Sequence, residues 1–463
     1  MIKKIKVNPI ILSGGYGVRL WPLSRINASK QFVDLMKNKG SLFLDTLKRL
    51  EEEIFLPPVI VANDIHRFEI LKILKTHKIK AEKLLLEPSQ KNTAPACIYA
   101  SYFLQRESIL CILPADHFIQ NKKIFSNTIF KAALLAKKGY LVSVGVGAKD
   151  ANVNYGYITV KNKIIKNQYY EIKKFIEKPD LVKAKYLVKK NAFWNTGVTV
   201  VRNDVFIDLF KRFNPKVYNE TINACQRHKK DREFIIPNIS YWKKIKSISL
   251  DYALLEKNFN KLVIPLKTHW SDLGTYDSLY KIKKSFGNVL SLDTNNCFTY
   301  SDDKLLVTAG IKDLVIVNTK NATLVTSKNS KDYLRKIVNK LLLNKKNEAF
   351  NHPEESRPWG SFENIKVEPG YKVKKLVVLP GEKISLQKHL RRSEHWVVVR
   401  GKAKITKGKK IINLKENQST FIKKGEIHRI ENVTKKELVL IEVQTGSYLE
   451  EDDIIRIEDK YKR

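Results

Sequence analysis

Over about its first 285 residues the chain alternates short apolar runs with amphipathic ones, and beyond that point the alternation stops. PIILS, PPVIVAN, KLLLEP, ILCILPAD and YLVSVGV are short and almost uniformly apolar, as strands buried on both faces are. Between them lie segments such as SLFLDTLKRLEEEIF, which places Leu44, Leu47, Leu50 and Ile54 on one helical face. Strands alternating with helices predict an α/β domain over residues 1–285. A β-rich connector spans residues 286–345, with KLLVTAG, DLVIVNT and ATLVTS as strands and Leu334, Ile337, Val338 and Leu341 on one face of a helix. The polar segment NKKNEAFNHP reads as a linker. Residues 346–463 follow as strands broken by glycine turns (KKLVVLPG, HWVVVRGKAKI, STFIKKG, LVLIEVQTG), which predicts a small all-β sandwich or barrel.

Composition narrows the setting. Four scattered cysteines without a C-x-x-C pair indicate neither a zinc site nor a disulfide framework. No apolar run approaches the ~18 residues that a membrane helix needs, and Asn8 and Pro9 break the N-terminal apolar stretch too early for a signal peptide, so a cytoplasmic location is expected. The net charge of +39 invites a nucleic-acid reading. Its lysines are spread along the whole chain, however, with no basic stripe interleaved with aromatics, so neither a specific nucleic acid nor a membrane is expected as a partner.

The strand PIIL runs into LSGGYGVRLWPLSR. Glycines after a buried strand let backbone N–H groups approach a phosphate, because no side chain stands in the way. The spacing fits neither the dinucleotide fingerprint nor the P-loop. What it offers is a Gly-Gly-x-Gly turn at Gly14, Gly15 and Gly17, followed by Arg19, Arg25 and Lys30, three cations able to clamp a polyphosphate. Asp116 follows the apolar strand ILCIL and is expected at its carboxyl end, where α/β sheets bind ligands.

GGYGVRLWPLSR and SKQF, then EPSQKNTAPA, LPADH, YGYI, FIEKP, WNTG, SISLDYALLEK and WSDLGTY, occur in the order seen in sugar-1-phosphate nucleotidylyltransferases. The chain resembles their mannose-1-phosphate guanylyltransferase branch. The resemblance implies a Rossmann-like nucleotidyltransferase domain that binds GTP and mannose 1-phosphate. Gly14, Gly15, Gly17, Arg19 and Asn92 are then the nucleotide-binding residues, Asp116 and Asp272 hold magnesium, and Lys30 joins them in catalysis. Glu177, Lys178 and Asn195 meet the sugar phosphate. Tyr16 and Val18 depart from the family pattern, which puts a small residue and threonine there.

PGEKISLQKHLRRSEHWVVVRG and KKGEIHRIEN match the two metal-binding patterns of a cupin barrel. Gln387, His389, Glu394 and His428 fall on the ligand positions, a set suited to zinc, manganese or cobalt. From RPWGSF to the C-terminus this part resembles the type II phosphomannose isomerase domain, which implies interconversion of mannose 6-phosphate and fructose 6-phosphate. The resemblance assigns Arg392 and His395 to that activity. Arg391, next but one after His389 in an alternating strand, is expected to face the pocket and hold the substrate phosphate. A second reading keeps the transferase and makes the cupin a silent dimerisation or regulatory module; a homo-oligomer is compatible with either.

Overall fold

The computed structural model describes residues 5–15, 18–37, 40–161, 169–328 and 331–461. The chain divides into two compact units, one of Met1–Arg67 with His77–Ala349 and one of Phe68–Thr76 with Phe350–Arg463.

The first unit is built on an eleven-stranded sheet. Val7–Ser13 lies between Val59–Asn63 and Ile109–Pro114, parallel to both, and Lys83–Glu87 continues the sheet beyond Val59–Asn63. Strand order therefore reverses at Val7–Ser13, and the loops leaving it and Ile109–Pro114 open a crevice at the carboxyl ends. On the other side Phe193–Arg202 runs antiparallel to both Ile109–Pro114 and Leu141–Gly147, which makes the sheet mixed. Its central strands are buried along their length, as their uniformly apolar sequences require.

The helix expected through SLFLDTLKRLEEEIF covers only Leu42–Arg49. Ser41 caps its start through a bond from the Leu44 N–H. Beyond Leu50 the backbone turns back to the sheet: the Val7 N–H donates to the Ile54 carbonyl and the Leu56 N–H to the Val7 carbonyl. Sheet hydrogen bonding has overridden the helical spacing of Ile54.

The connector forms a four-stranded sheet of Ser285–Leu292, Phe298–Ala309, Leu314–Asn318 and Thr323–Ser327, followed by the helix Lys331–Leu343. It shares an apolar core with the residues after the glycine loop: Leu20, Trp21 and Leu23 pack with Tyr276, Phe298, Val315 and Val338.

In the second unit a six-stranded and a five-stranded sheet enclose one core in which Leu376, Trp396, Ile405 and Ile430 meet. Three neighbouring strands of the larger sheet, Tyr371–Val378, Leu438–Gly446 and Arg392–Arg400, change character along their length. At one end their inward positions are apolar (Val378, Leu440, Val398), and towards the other they become Lys374, Lys372, Glu442, Gln444, Glu394 and Arg392, all buried. An apolar floor thus gives way to a charged interior.

Candidate active sites

The crevice at the strand reversal holds a cavity of about 500 Å³ lined by Gly14, Gly15, Gln31, Glu87, Asn92 and Asp116. The Gln31 amide donates to the carbonyls of Ser13 (3.1 Å) and Gly15 (2.8 Å) and so fixes the loop's path. A Cβ at Gly14 would come to 2.7 Å from the Glu87 carboxylate, so any side chain there would have to push that carboxylate aside. Burial pushes the Glu87 carboxyl up to about 8. Asn92 caps the Thr93–Tyr102 helix by accepting from the Thr93 N–H. Gly17 and Tyr16 lie outside the described residues.

Asp116 sits just past the end of its strand. The Lys30 ammonium lies 2.8 Å from its Oδ2 and also donates to the Asp272 carbonyl, so Lys30 gathers the two aspartates. Burial alone raises the Asp116 carboxyl, but Lys30 and His117 outweigh it and hold the group below its ordinary value. Asp272 Oδ1 accepts from the Tyr155 hydroxyl (3.0 Å) and the Gly274 N–H (3.2 Å), combining a turn-closing role with a place at the site. Asp272, Tyr155, Trp194 and the exposed Arg19 line a second cavity of about 590 Å³.

Glu177, Lys178 and Asn195 form a third group. Lys178 pairs with Glu177 at 3.2 Å, and Asn195 donates to Asp251 at 2.9 Å. Burial, with Glu177 adding to it, pushes Asp251 up to about 6. Sequence reasoning passes over Asp251, Tyr155, Gln31 and Glu87 although all four stand inside quoted motifs; no spacing rule distinguishes a side chain turned inwards there.

Arg25 does not join the clamp expected of it. Its side chain is fully buried and donates to the carbonyls of Pro22 and Glu348 and to Asn321 Oδ1. Trp21 Nε1 donates to the same Glu348 carbonyl at 2.9 Å. The second half of the signature therefore fastens the loop to the connector and the segment after it.

In the barrel, ligand atoms of His389, Glu394 and His428 lie within 4.8 Å of one another, all three buried. His389 Nε2 is 3.0 Å from Glu394 Oε1, and His428 Nε2 is 3.6 Å from Glu394 Oε2. Among the described residues Glu394 Oε2 and His428 Nε2 have no hydrogen-bond partner, so two buried polar atoms point into one space that a divalent cation would satisfy. Burial raises Glu394, but His389, His428 and Arg392 overcome it and hold the carboxyl well down. His428 Nδ1 bonds the Glu426 carbonyl at 2.8 Å, which leaves Nε2 for the ion. Gln387 stands beside His389, its Nε2 3.4 Å from the ring, with its carbonyl oxygen already accepting from Ser385.

Two expectations are corrected here. Arg391 faces outwards, exposed and stacked over the Tyr448 ring, because the strand Leu386–His389 ends before it and a turn breaks the alternation. The buried Arg392 enters instead, its Nε 3.3 Å from Glu394 Oε1. His395 lies on the outer face of its strand against Phe421, the neighbours Glu394 and Trp396 being the buried ones.

A crevice at a strand reversal, with glycines on one side and a lysine-bridged pair of aspartates on the other, defines a nucleotidyltransferase, and the barrel with its buried His389, Glu394 and His428 defines a cupin. The nucleotidyl transferase family model matches residues 8–288, the MannoseP isomerase/GMP-like β-helix domain 287–341 and the mannose-6-phosphate isomerase C-terminal domain 344–459. The chain is 36% identical to a mannose-1-phosphate guanylyltransferase of Salmonella muenchen over 98% of both chains. It is 36% identical to the alginate biosynthesis protein AlgA of Pseudomonas aeruginosa, over 98% of this chain and 97% of that one. A crystal structure of mannose-6-phosphate isomerase from Helicobacter pylori superposes with a TM-score of 0.51 at 28% identity, over 58% of this chain and all of that one. The chain belongs to the mannose-1-phosphate guanylyltransferase family whose members carry a fused mannose-6-phosphate isomerase domain. Enzymes of these two families use divalent metals.

Proposed function

We propose that the protein transfers GMP from GTP to mannose 1-phosphate, releasing pyrophosphate and GDP-mannose, and that its barrel interconverts mannose 6-phosphate and fructose 6-phosphate. The observation that carries the transferase is the Lys30 bridge beside the glycine loop, which joins the Asp116 carboxylate to the backbone carbonyl of Asp272. The carboxylates of Asp116 and Asp272 would hold magnesium, which supplies charge neutralisation on the phosphates. Backbone N–H groups of Gly14 and Gly15 and the Arg19 guanidinium hold the triphosphate, and Lys178 holds the sugar phosphate. Asn195 and Glu177 orient the sugar hydroxyls, so the phosphate oxygen of mannose 1-phosphate faces the α-phosphorus that it attacks.

In the barrel, His389, Glu394 and His428, with Gln387 alongside, would hold zinc, cobalt or manganese, which polarises the substrate carbonyl. We place the protein in the cytoplasm, a setting in keeping with its four free, buried cysteines. Pyrophosphate release from each nucleoside triphosphate paired with each hexose 1-phosphate tests the transferase. The expected result is a strong preference for GTP with mannose 1-phosphate, and equal use of ATP or glucose 1-phosphate would overturn it.

A further inference from the structure

The charged end of the barrel holds more cations than its metal ligands explain. Lys372, Lys374 and Arg392 point inwards and are 7%, 4% and 1% exposed. A lysine on a sheet this small normally faces water, because a buried ammonium is costly unless paired. Lys372 has no carboxylate partner among the described residues; its ammonium donates to the Leu449 carbonyl at 2.8 Å. Burial, reinforced by Lys374, lowers its basicity.

Strand register fixes where these cations stand. Lys372 is level with Gln444, and Gln444 with Glu394, across three adjacent strands. Lys374 is level with Glu442, and Glu442 with Trp396. Adjacent strands lie about 4.8 Å apart, so the Cα atoms of Lys372 and Glu394 are separated by roughly 10 Å, with Gln444 between them. Arg392 lies one inward position beyond Glu394 on the same strand and bonds its carboxylate. The three cations therefore border the metal triad on one side, at a spacing that a six-carbon sugar phosphate can bridge.

One short segment meets all three. Leu449 gives its carbonyl to Lys372, Glu450 its carbonyl to Arg392 (2.8 Å), and the Glu451 carboxylate lies 2.6 Å from the Lys374 ammonium. Glu451 is 46% exposed, so this carboxylate reaches in from the solvent side. The segment is tied down separately at its far end, where Asp453 accepts from the N–H groups of Leu390 and Arg391. Glu451 can therefore leave Lys374 without freeing the whole strap.

We infer that Lys372, Lys374 and Arg392 form the phosphate subsite of the isomerase, and that Leu449–Asp453 is an acidic strap whose Glu451 occupies the phosphate's place until substrate displaces it. This rests on the isomerase reading. The ligand is a phosphate dianion, whether on a hexose or free, and it supplies the direct ion pair that no carboxylate among the described residues gives Lys372. With the phosphate here, the sugar's carbonyl end lies over His389, Glu394 and His428.

The test uses the full-length, metal-loaded protein with two readouts: the Michaelis constant for mannose 6-phosphate, and calorimetric binding of mannose 6-phosphate and of inorganic phosphate. Lys372→Met and Lys374→Met should each weaken binding of both ligands and raise the Michaelis constant about tenfold or more, the scale of losing one charge-assisted bond. Lys374→Arg should restore most of the loss. Glu451→Gln should act oppositely, tightening phosphate binding and lowering the Michaelis constant, and it decides the matter if the lysine variants do not fold. Guanylyl transfer should be unchanged in every variant. Lysine variants that bind phosphate as the wild type does, or a Glu451→Gln protein that binds it more weakly, would show that the lysines merely anchor the strap and overturn the assignment. Wild-type protein that binds phosphate through these lysines but does not isomerise would uphold the subsite and remove the isomerase reading instead.

Discussion

Arg19 and Arg25 belong to one motif and do opposite work. Arg19 is exposed at the rim of the large cavity, whereas Arg25 is buried and spends its donors on Pro22, Glu348 and Asn321. Arg19→Ala should raise the Michaelis constant for GTP with little loss of stability. Arg25→Ala should instead destabilise the fold by about 2 kcal/mol or more by orphaning buried carbonyls, with little change in that constant. Melting curves and initial rates on both variants separate the roles. Glu87 gives a prediction of another kind. Its carboxyl is raised from 4.5 to about 8 in the native state, so between those values the folded chain holds a proton that the unfolded chain releases. Its contribution to stability is full below about pH 4.5 and is lost as pH rises towards 8. Glu87→Gln, which cannot ionise, should match the wild type's melting temperature near pH 5 and exceed it at pH 8.5. An equal gap at both values would mean that the carboxyl is not titrating in that window.

At the scale of elements, the sequence is most legible where one physical rule acts alone. Apolar runs mark the central strands, and a strand's carboxyl end places Asp116 correctly beside the glycine loop, because sheet ligands gather there. Asp116→Asn should keep the fold and lower guanylyl transfer by about two orders of magnitude, the scale of removing one charge-stabilising group. Legibility fails where elements end. The helix at Leu42–Arg49 stops early because the following segment pairs with Val7, and periodicity carries no sign of that competitor. Alternation assigns Arg391 inwards, a rule that holds within a strand and not across the turn at residues 390–391. Arg391→Ala should therefore leave the Michaelis constant for mannose 6-phosphate within about twofold, since only an exposed stack on Tyr448 is lost, worth up to about 1 kcal/mol of local order.

For the molecule as a whole, each reaction has its own core and its own charged centre: the mixed sheet with Lys30, Asp116 and Asp272, and the barrel with His389, Glu394 and His428. His389 and Glu394, two of the proposed metal ligands, are readable from the sequence because their spacing is covalent, fixed along two strands and the turn between them, and His428 because it stands at a fixed distance from a glycine turn on a third strand. Lys372 and Lys374 are not, since they lie in a separate strand and reach the site only through sheet register, which a single sequence does not display. The +39 charge misleads for a similar reason, because a total says nothing of where charges stand, and the cations that line the two centres are few and partly buried. Separate centres make a sharp prediction for the intact protein. His389→Ala should abolish isomerisation, because it removes one of only three His or Glu groups in the triad and leaves Glu394 buried with a weaker set of partners. The same protein should transfer GMP at close to the wild-type rate, since the groups around Asp116 are untouched. Metal analysis gives a readout independent of activity: after chelation and dialysis against one divalent ion, the wild type should recover one bound equivalent that the His389→Ala protein lacks. A variant that loses both activities together, with its fold intact by circular dichroism, would mean that the two centres do not work independently.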